Sequence, residues 1–594
     1  MSDIEEPLGQ AYDARLLRRL LGYLRPHLKL ASAALVLLLL SAGLALVGPR
    51  LTQHALDVAI PRRDVGLLGN LAILYIVALA LDFLADYGQT LLTTLIGQRV
   101  MLDLRTRIFG HLQRLSISFF DRNPVGRLMT RVTSDVETLN ELFSSGLVTV
   151  FGDIFTLAAI MGMMLLMNWR LALVAFSVIP LVWLTATIFR KHVREAFRDI
   201  RVRLARLNAY LQEQLSGMRI VQLFRREQAG YDEFDRLNRS QLDAHLRSIT
   251  VYAIFFPVVE FLSSLALALL LWYGGLRTLG GTLTVGVLAA FIQLSRRFFQ
   301  PLQDISEKVN LLQSAMASSE RIFQLLDEPV QVREAEAPAT LPTPVRGEVR
   351  FEDVWFRYSE TGPWVLRGVS FVAAPGRTVA IIGHTGAGKT TIISLLLRFY
   401  EPVRGRITID GMDIRTLSTH ELRGLIGFVQ QDLFLFTGDI LHNLVLDAPI
   451  PAAQAEAAAA RVGADRFVRR LPAGYGHQLA ERGRNLSVGE RQLLSFARAL
   501  ARDPRILVLD EATSSVDAEA EAQIQEAIVE LMRGRTALVV AHRLSTILHA
   551  DEILVFHHGE IRERGTHRTL LAQEGLYQRL YLLQAGSGEV RRSA

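Results

Sequence analysis

Residues 383–390 read GHTGAGKT, between an apolar run, TVAIIG, and a second one, TIISLLL. A strand, a glycine loop and a helix in that order form a phosphate cradle. Gly383, Gly386 and Gly388 let backbone N–H groups close around phosphate oxygens, with His384, Thr385 and Ala387 completing the loop, and the helix start adds partial positive charge. Lys389 can reach β- and γ-phosphates, and the Thr390 hydroxyl, followed by Thr391, can ligate Mg²⁺. Of 65 basic residues only 29, 191, 308 and 389 are lysines, so the loop holds a slender ammonium in a chain that otherwise uses arginine.

A second chemical cluster follows about 120 residues later. RILVLDEATSSVD (505–517) is an apolar strand ending in Asp510, placed to hold Mg²⁺ through water, and Glu511, placed to orient or deprotonate an attacking water. An apolar strand before Asp-Glu is common by itself; the preceding phosphate loop gives it meaning. TALVVAHRLST (536–546) adds a strand with His542 just past its end, either structural or able to reach a γ-phosphate. NLSVGERQLLSFARAL (485–500) looks like another loop running into a helix, yet Val488 and Glu490 suit a phosphate poorly.

These residues need a scaffold, and 594 residues exceed a single core. Half the residues are hydrophobic and only 21% charged, which points to membrane spans. The net charge of +6 forms no basic stripe, which argues against a nucleic-acid partner. The absence of cysteine excludes disulfides, thiolate metal sites and cysteine nucleophiles. The first 25 residues lack an apolar stretch, so no cleavable signal is expected.

Six segments offer roughly 20 apolar-biased residues each: 30–49, 67–85, 146–167, 171–189, 251–272 and 278–295. Arg296 and Arg297 interrupt the end of the sixth. Arginine crowds the connections between spans two and three and between spans four and five, which places these and both termini in the cytoplasm. Residues 14–24, ARLLRRLLGYL, suit an interfacial helix or an ordinary amphipathic one. Span two can run unbroken to about residue 115, some 70 Å at about 1.5 Å per residue against a hydrocarbon core of about 30 Å. The helices therefore present distant turns at 119–135 and 216–227. Residues 327–348, rich in proline and acid, read as a linker.

In order and spacing, GHTGAGKT, VQQDLFLF (429–436), LSVGE, ILVLDEATSSVD and AHR resemble the nucleotide-binding domain of ATP-binding-cassette (ABC) transporters. The N-terminal half resembles the six-helix domain of the exporter branch, its two distant turns resembling coupling helices. The implied fold is a membrane α-helical domain of six long helices followed by an α/β P-loop ATPase. The expected division is an N-terminal helix at 1–27, a membrane domain at 28–325, a linker at 326–347 and an ATPase domain at 348–594. The resemblance implies that Tyr358 stacks on adenine, that Gln431 ligates Mg²⁺ and senses the γ-phosphate, and that Asp517 belongs to the loop joining two nucleotide sites. ATP and Mg²⁺ are the implied cofactors, and a second half-transporter chain is the implied partner, because each ATP lies between one chain's P-loop and the other's signature loop. The resemblance also implies that ATP closes the pair and drives alternating access, and a bacterial cytoplasmic membrane is the expected location.

The family's usual signature is LSGGQ; here Ser487 and Gly489 remain. Val488 removes free backbone approach, and Glu490 sets a carboxylate near a polyphosphate. Both weaken the site on the partner, leaving this chain's Lys389 and Glu511 intact, as in heterodimeric bacterial multidrug half-exporters. A tolerant homodimer is the competing reading. Asp82, Asp86, Asp153 and Glu260 lie in the spans, where they are expected to line a polar cavity for cationic amphipathic compounds; the alternative for Asp82 and Asp86, four residues apart, is a place near the outer interface or a pairing with arginine. Lipid export and an ATP-gated channel are the rival functions.

Overall fold

The structure is a computed structural model and describes residues 14–510, 518–541 and 547–583. It divides into two compact units, residues 1–113 with 125–328, and residues 114–124 with 329–594.

In the first unit the apolar runs fold as long helices: α1 Ala14–Gly22, α2 Leu28–His54, α3 Val65–Leu112. The chain continues through α4 Ile117–Arg122, α5 Val125–Thr130 and α6 Val136–Glu141, of which α4 is part of the second unit. Then come α7 Leu147–Phe176, α8 Ile179–Ser216, the short α9 Met218–Leu223, α10 Glu227–Leu279 and α11 Val285–Asp327. The 48 residues of α3 span about 72 Å at about 1.5 Å per residue, so the helix overshoots any bilayer. Asp64 caps its start, accepting from the Leu67 N–H at 2.8 Å.

Among the described residues, four stretches are long and apolar enough to cross a membrane: Arg25–Ala59, Val65–Leu112, Val150–Phe176 and Glu227–Leu279. The fourth and sixth segments expected from the sequence are corrected. The fourth is divided after Phe176, and α8 restarts at Ile179 with a proline in its first turn. The sixth begins at Val285 rather than Thr278, which still belongs to α10; Thr284 caps α11 by accepting from Val287 N–H at 3.3 Å. Asn168 adopts an extended conformation inside α7, and its side chain caps the restarted helix by accepting from Leu171 N–H at 3.1 Å. Two helices thereby meet across three residues. Ile160, Leu171, Leu270 and Phe291 anchor the core shared by α7, α10 and α11.

α1 packs on the end of α11: Leu20 is fully buried, Arg19 bonds Asp327 at 2.6 Å, and Tyr23 stacks on Phe323. Its apolar side is thus satisfied in part by protein.

Among its described residues the second unit carries twelve strands. β1 Val349–Phe356, β2 Leu366–Ala373, β4 Arg404–Ile409 and β5 Met412–Asp413 form an antiparallel sheet in the order β2-β1-β4-β5. The larger sheet runs β12-β11-β3-β10-β9-β6, from β3 Thr378–Gly383, β6 Ile426–Val429, β9 Ile506–Asp510, β10 Thr536–Val540, β11 Glu552–His557 and β12 Glu560–Gly565. β7 Gly438–Asp439 and β8 Gln478–Leu479 pair separately. β3, β9 and β10 pair in parallel and are buried along their length, as continuous apolar runs covered on both faces must be. Their register sets Val540 opposite Asp510 and Leu509 opposite Val429, so β3, β10, β9 and β6 end along one edge, beside α12 Lys389–Leu396.

The segment before β1 is held along its length. Val332 N–H donates to Ser116 Oγ at 3.0 Å, Arg398 donates to the Arg333 carbonyl at 2.7 Å, and the Asp410 carboxylate accepts from the N–H groups of Arg346, Gly347 and Glu348.

Candidate nucleotide site

The carboxyl edge of parallel strands is where α/β sheets bind ligands. Gly386 takes φ +81° and a side chain there would meet nothing within 4 Å, so its backbone lines open space. Gly388 takes φ +98° at the head of α12, with Leu366 Cδ2 only 2.7 Å from where a Cβ would stand. Between them the loop is free on one side and locked on the other. Ala387 is buried, while His384, Thr385 and Thr390 are exposed.

Lys389 is only 6% exposed and donates to the carbonyls of Gly383 at 2.7 Å and His384 at 3.0 Å. Burial lowers its pKa, and the nearby Asp510 carboxylate opposes that shift. The ammonium thus staples the loop from beneath, within reach of any anion in the cradle. Asp510 ends β9 almost buried, and Gln431 stands two residues beyond β6; both line one cleft with Gln430, Leu509 and Gln492. Thr390, Gln431 and Asp510 offer oxygen atoms alone, the donor chemistry of a hard dication. Glu511, Asp517 and His542 lie outside the described residues.

Tyr358 is half exposed, with its hydroxyl 3.0 Å from that of Thr391 in the first turn of α12. Its ring meets Tyr400 edge-on at 5.1 Å, and the Tyr400 hydroxyl donates to Asp121 of α4 at 2.5 Å. Burial, then the Asp121 carboxylate, pushes the Tyr400 pKa up. An unbroken chain of contacts runs from the expected adenine platform to α4. Replacing Tyr400 by Phe keeps the ring and removes the bond to Asp121. ATP affinity is expected to hold within about twofold while transport per ATP hydrolysed falls about three- to tenfold, a charge-assisted bond being worth about 1.5–3 kcal/mol when well shielded and less here. Parallel nucleotide-binding and transport assays measure both.

The signature segment has its own order. Ser487 caps the helix Val488–Ala501, its hydroxyl accepting from Glu490 N–H at 3.2 Å, and the Glu490 carboxylate accepts from Ser487 N–H at 2.8 Å. This reciprocal capping box ties down the Glu490 carboxylate, the acid expected from the sequence to face a partner's phosphates. Gly489 is buried and Val488 is exposed at 42%. The Ser487 N–H is already used.

Sequence reasoning missed three residues here. Arg498, on the same helix, donates to the carbonyls of Phe434 at 2.9 Å and Asn443 at 2.8 Å, fixing the segment after Gln431; burial pushes its pKa down to about 10. Gln492 is buried, with its Oε1 lacking a partner among the described residues. His557 lies 6.1 Å from the His384 ring. A polar residue on the apolar face of an amphipathic helix was the available signal for the first two.

The four acids of the spans are not equivalent. Asp82 accepts from Ser41 Oγ at 2.7 Å, while Asp86 and Glu260 are exposed on α3 and α10. Asp153 forms an ion pair with Lys308, so its charge is already met within the helices. At the second distant turn, α9 exposes Ile220 and Leu223, followed by exposed Phe224.

Residues 32–302 match the family described as ABC transporter transmembrane region, and residues 366–514 match ABC transporter. The Bacillus subtilis "Uncharacterized ABC transporter ATP-binding protein YknV" is 38% identical over 98% of this chain and 96% of its own. The "Probable multidrug resistance ABC transporter ATP-binding/permease protein YheH" of the same organism is 39% identical over 84% of this chain and 74% of its own. The "ATP-dependent lipid A-core flippase" of Syntrophus aciditrophicus is 36% identical over 96% and 94%. Both family matches lie on one chain that its relatives cover almost end to end, and the chain belongs to the ABC transporter family as a multi-pass exporter-type half-transporter whose ATPase drives transport.

Proposed function

We propose that the chain exports amphipathic compounds across a bacterial cytoplasmic membrane as one half of an asymmetric heterodimer, with both termini cytoplasmic. The observation that carries the asymmetry is the capping box. Ser487 N–H and the Glu490 carboxylate satisfy each other, so a partner's γ-phosphate must compete with an internal bond and a like charge. The P-loop keeps its free concave side and its buried ammonium.

In this reading Lys389 and the loop N–H groups bind the β- and γ-phosphates of ATP, and Tyr358 stacks on the base. Thr390, Gln431 and Asp510 would hold Mg²⁺, which neutralises phosphate charge when bound. Glu511 orients the attacking water, His542 contacts the γ-phosphate, and Asp517 belongs to the loop between the two sites. The partner's signature loop completes this hydrolytic site, and Ser487, Val488, Gly489 and Glu490 cap a weak site on the partner. Asp82, Asp86, Asp153 and Glu260 are candidate polar groups of the cavity. YheH's name supports a multidrug cargo; the flippase's name supports lipid export by a homodimer as the second reading.

Inside-out vesicles from cells expressing the chain with a neighbouring half-transporter are expected to accumulate a fluorescent amphipathic dye only with ATP. An ion current without accumulation marks a channel, and equal accumulation by the chain alone marks a homodimer.

A further inference from the structure

α2 and α11 run antiparallel, and named contacts fix their register. The Asp57 carboxylate accepts from Thr284 Oγ at 2.6 Å and from Gly286 N–H at 2.7 Å, and Gln293 Nε2 donates to Thr52 Oγ at 3.3 Å. One turn further along α11, Arg297 Nη1 donates to the carbonyl of Ala45 at 2.7 Å. That acceptor is not incidental. Pro49, four residues on and inside α2, has no N–H, so the Ala45 carbonyl lacks its ordinary helical donor. The guanidinium takes the place of the missing donor and is thereby held in one position.

Arg297 stands twelve residues beyond the start of α11, about 18 Å along a helix that rises about 1.5 Å per residue. In a hydrocarbon layer of about 30 Å that is close to mid-depth. Arg296 is its neighbour, exposed and without a hydrogen bond or ion pair among the described residues. Arg50, nine residues before Ala59 on α2, lies at a similar depth and is exposed, donating to Gln53 Oε1 at 2.7 Å. Cations at such depth are costly and face a polar cavity. Two of the span acids are already engaged elsewhere, Asp153 with Lys308 and Asp82 with Ser41, and neither Arg297 nor Arg296 has a carboxylate partner among the described residues.

We infer that Arg297, with Arg296 and Arg50, is the cavity's binding site for the anionic head of an amphiphile, a carboxylate or phosphate on an apolar tail. A single carbonyl occupies one of the five guanidinium N–H donors of Arg297, leaving others for a planar or tetrahedral oxyanion. The inference deepens the exporter reading and gives the cargo a charge opposite to the one suggested by the span acids alone.

The test uses the full chain in phosphatidylcholine nanodiscs, with binding of a fluorescent C12 carboxylate read against empty discs. Dodecyl phosphate and phosphatidic acid are expected to compete, inorganic phosphate and dodecyltrimethylammonium not. Preference for phosphatidic acid or for the single-chain anion identifies a lipid or a free amphiphile, and either supports the site. The R296Q/R297Q double variant should weaken anion binding at least tenfold. R297K should retain part of the affinity, and P49A, which restores the backbone donor to Ala45, should weaken it several-fold. Unchanged anion binding in R296Q/R297Q overturns the inference, as does tighter binding of the cation. Loss of dimer on size exclusion with anion binding intact also overturns it, assigning the arginines to a second chain's acids. In vesicles, wild-type protein that moves no amphiphile defeats the exporter reading. If R296Q/R297Q still moves the anion, only the site fails.

Discussion

Replacing Lys389 by alanine is expected to cut ATP hydrolysis by about 10²–10³-fold, the loss typical of removing one preorganised group facing developing charge. The structure gives the substitution two effects. The ammonium that would meet the phosphates is lost, and so are the bonds that hold the Gly383 and His384 carbonyls beneath the loop. Arginine should not rescue the activity. The position is 6% exposed, and a planar guanidinium cannot occupy the space of a compact ammonium without displacing the loop. Nucleotide affinity and steady-state turnover, measured separately, distinguish lost binding from lost chemistry. Turnover near wild type in the alanine variant would mean that hydrolysis does not use this cradle.

The second large effect concerns the signature segment. Without its partner, the chain should hydrolyse ATP slowly, and the V488G/E490Q double substitution should raise that turnover by about tenfold or more. Two unit charges about 4 Å apart interact by roughly 1–4 kcal/mol between water and a protein-surface environment, which is enough for such a change. Glutamine at 490 can still accept from the Ser487 N–H, so the helix start survives while the charge goes. Glycine at 488 restores close backbone approach. Brisk turnover by the unmodified chain, or no gain from the substitutions, would favour the tolerant homodimer.

Much of the nucleotide cradle is local in sequence, and for that reason it is legible there. The loop glycines and Lys389 act through backbone conformation within a few residues, so their spacing carries the geometry. The long helices are legible in the same way, because length and hydropathy decide them. The Ser487–Glu490 capping box also stands in the sequence as Ser-x-x-Glu before an amphipathic helix, but a reading for phosphate chemistry alone passes over it. What was hidden depends on register between distant segments. The Lys308–Asp153 pair, the Tyr400–Asp121 bond and the Arg297 bond to Ala45 join residues separated by 155, 279 and 252 positions. The division of the fourth span at Ser177 and Val178 was obscured because its apolar composition continues through the break.

The grouping of residues 114–124 with 329–594 changes what counts as a separable piece of this protein. Phe119 is buried in α4, Ser118 Oγ donates to Gln331, and Ser116 accepts from Val332. A fragment cut at Pro329 would keep every nucleotide motif yet lack a helix that its own fold uses. Such a fragment is a domain with a part missing, and its loss of the Asp121 acceptor would leave Tyr400 in a state that the intact chain does not adopt.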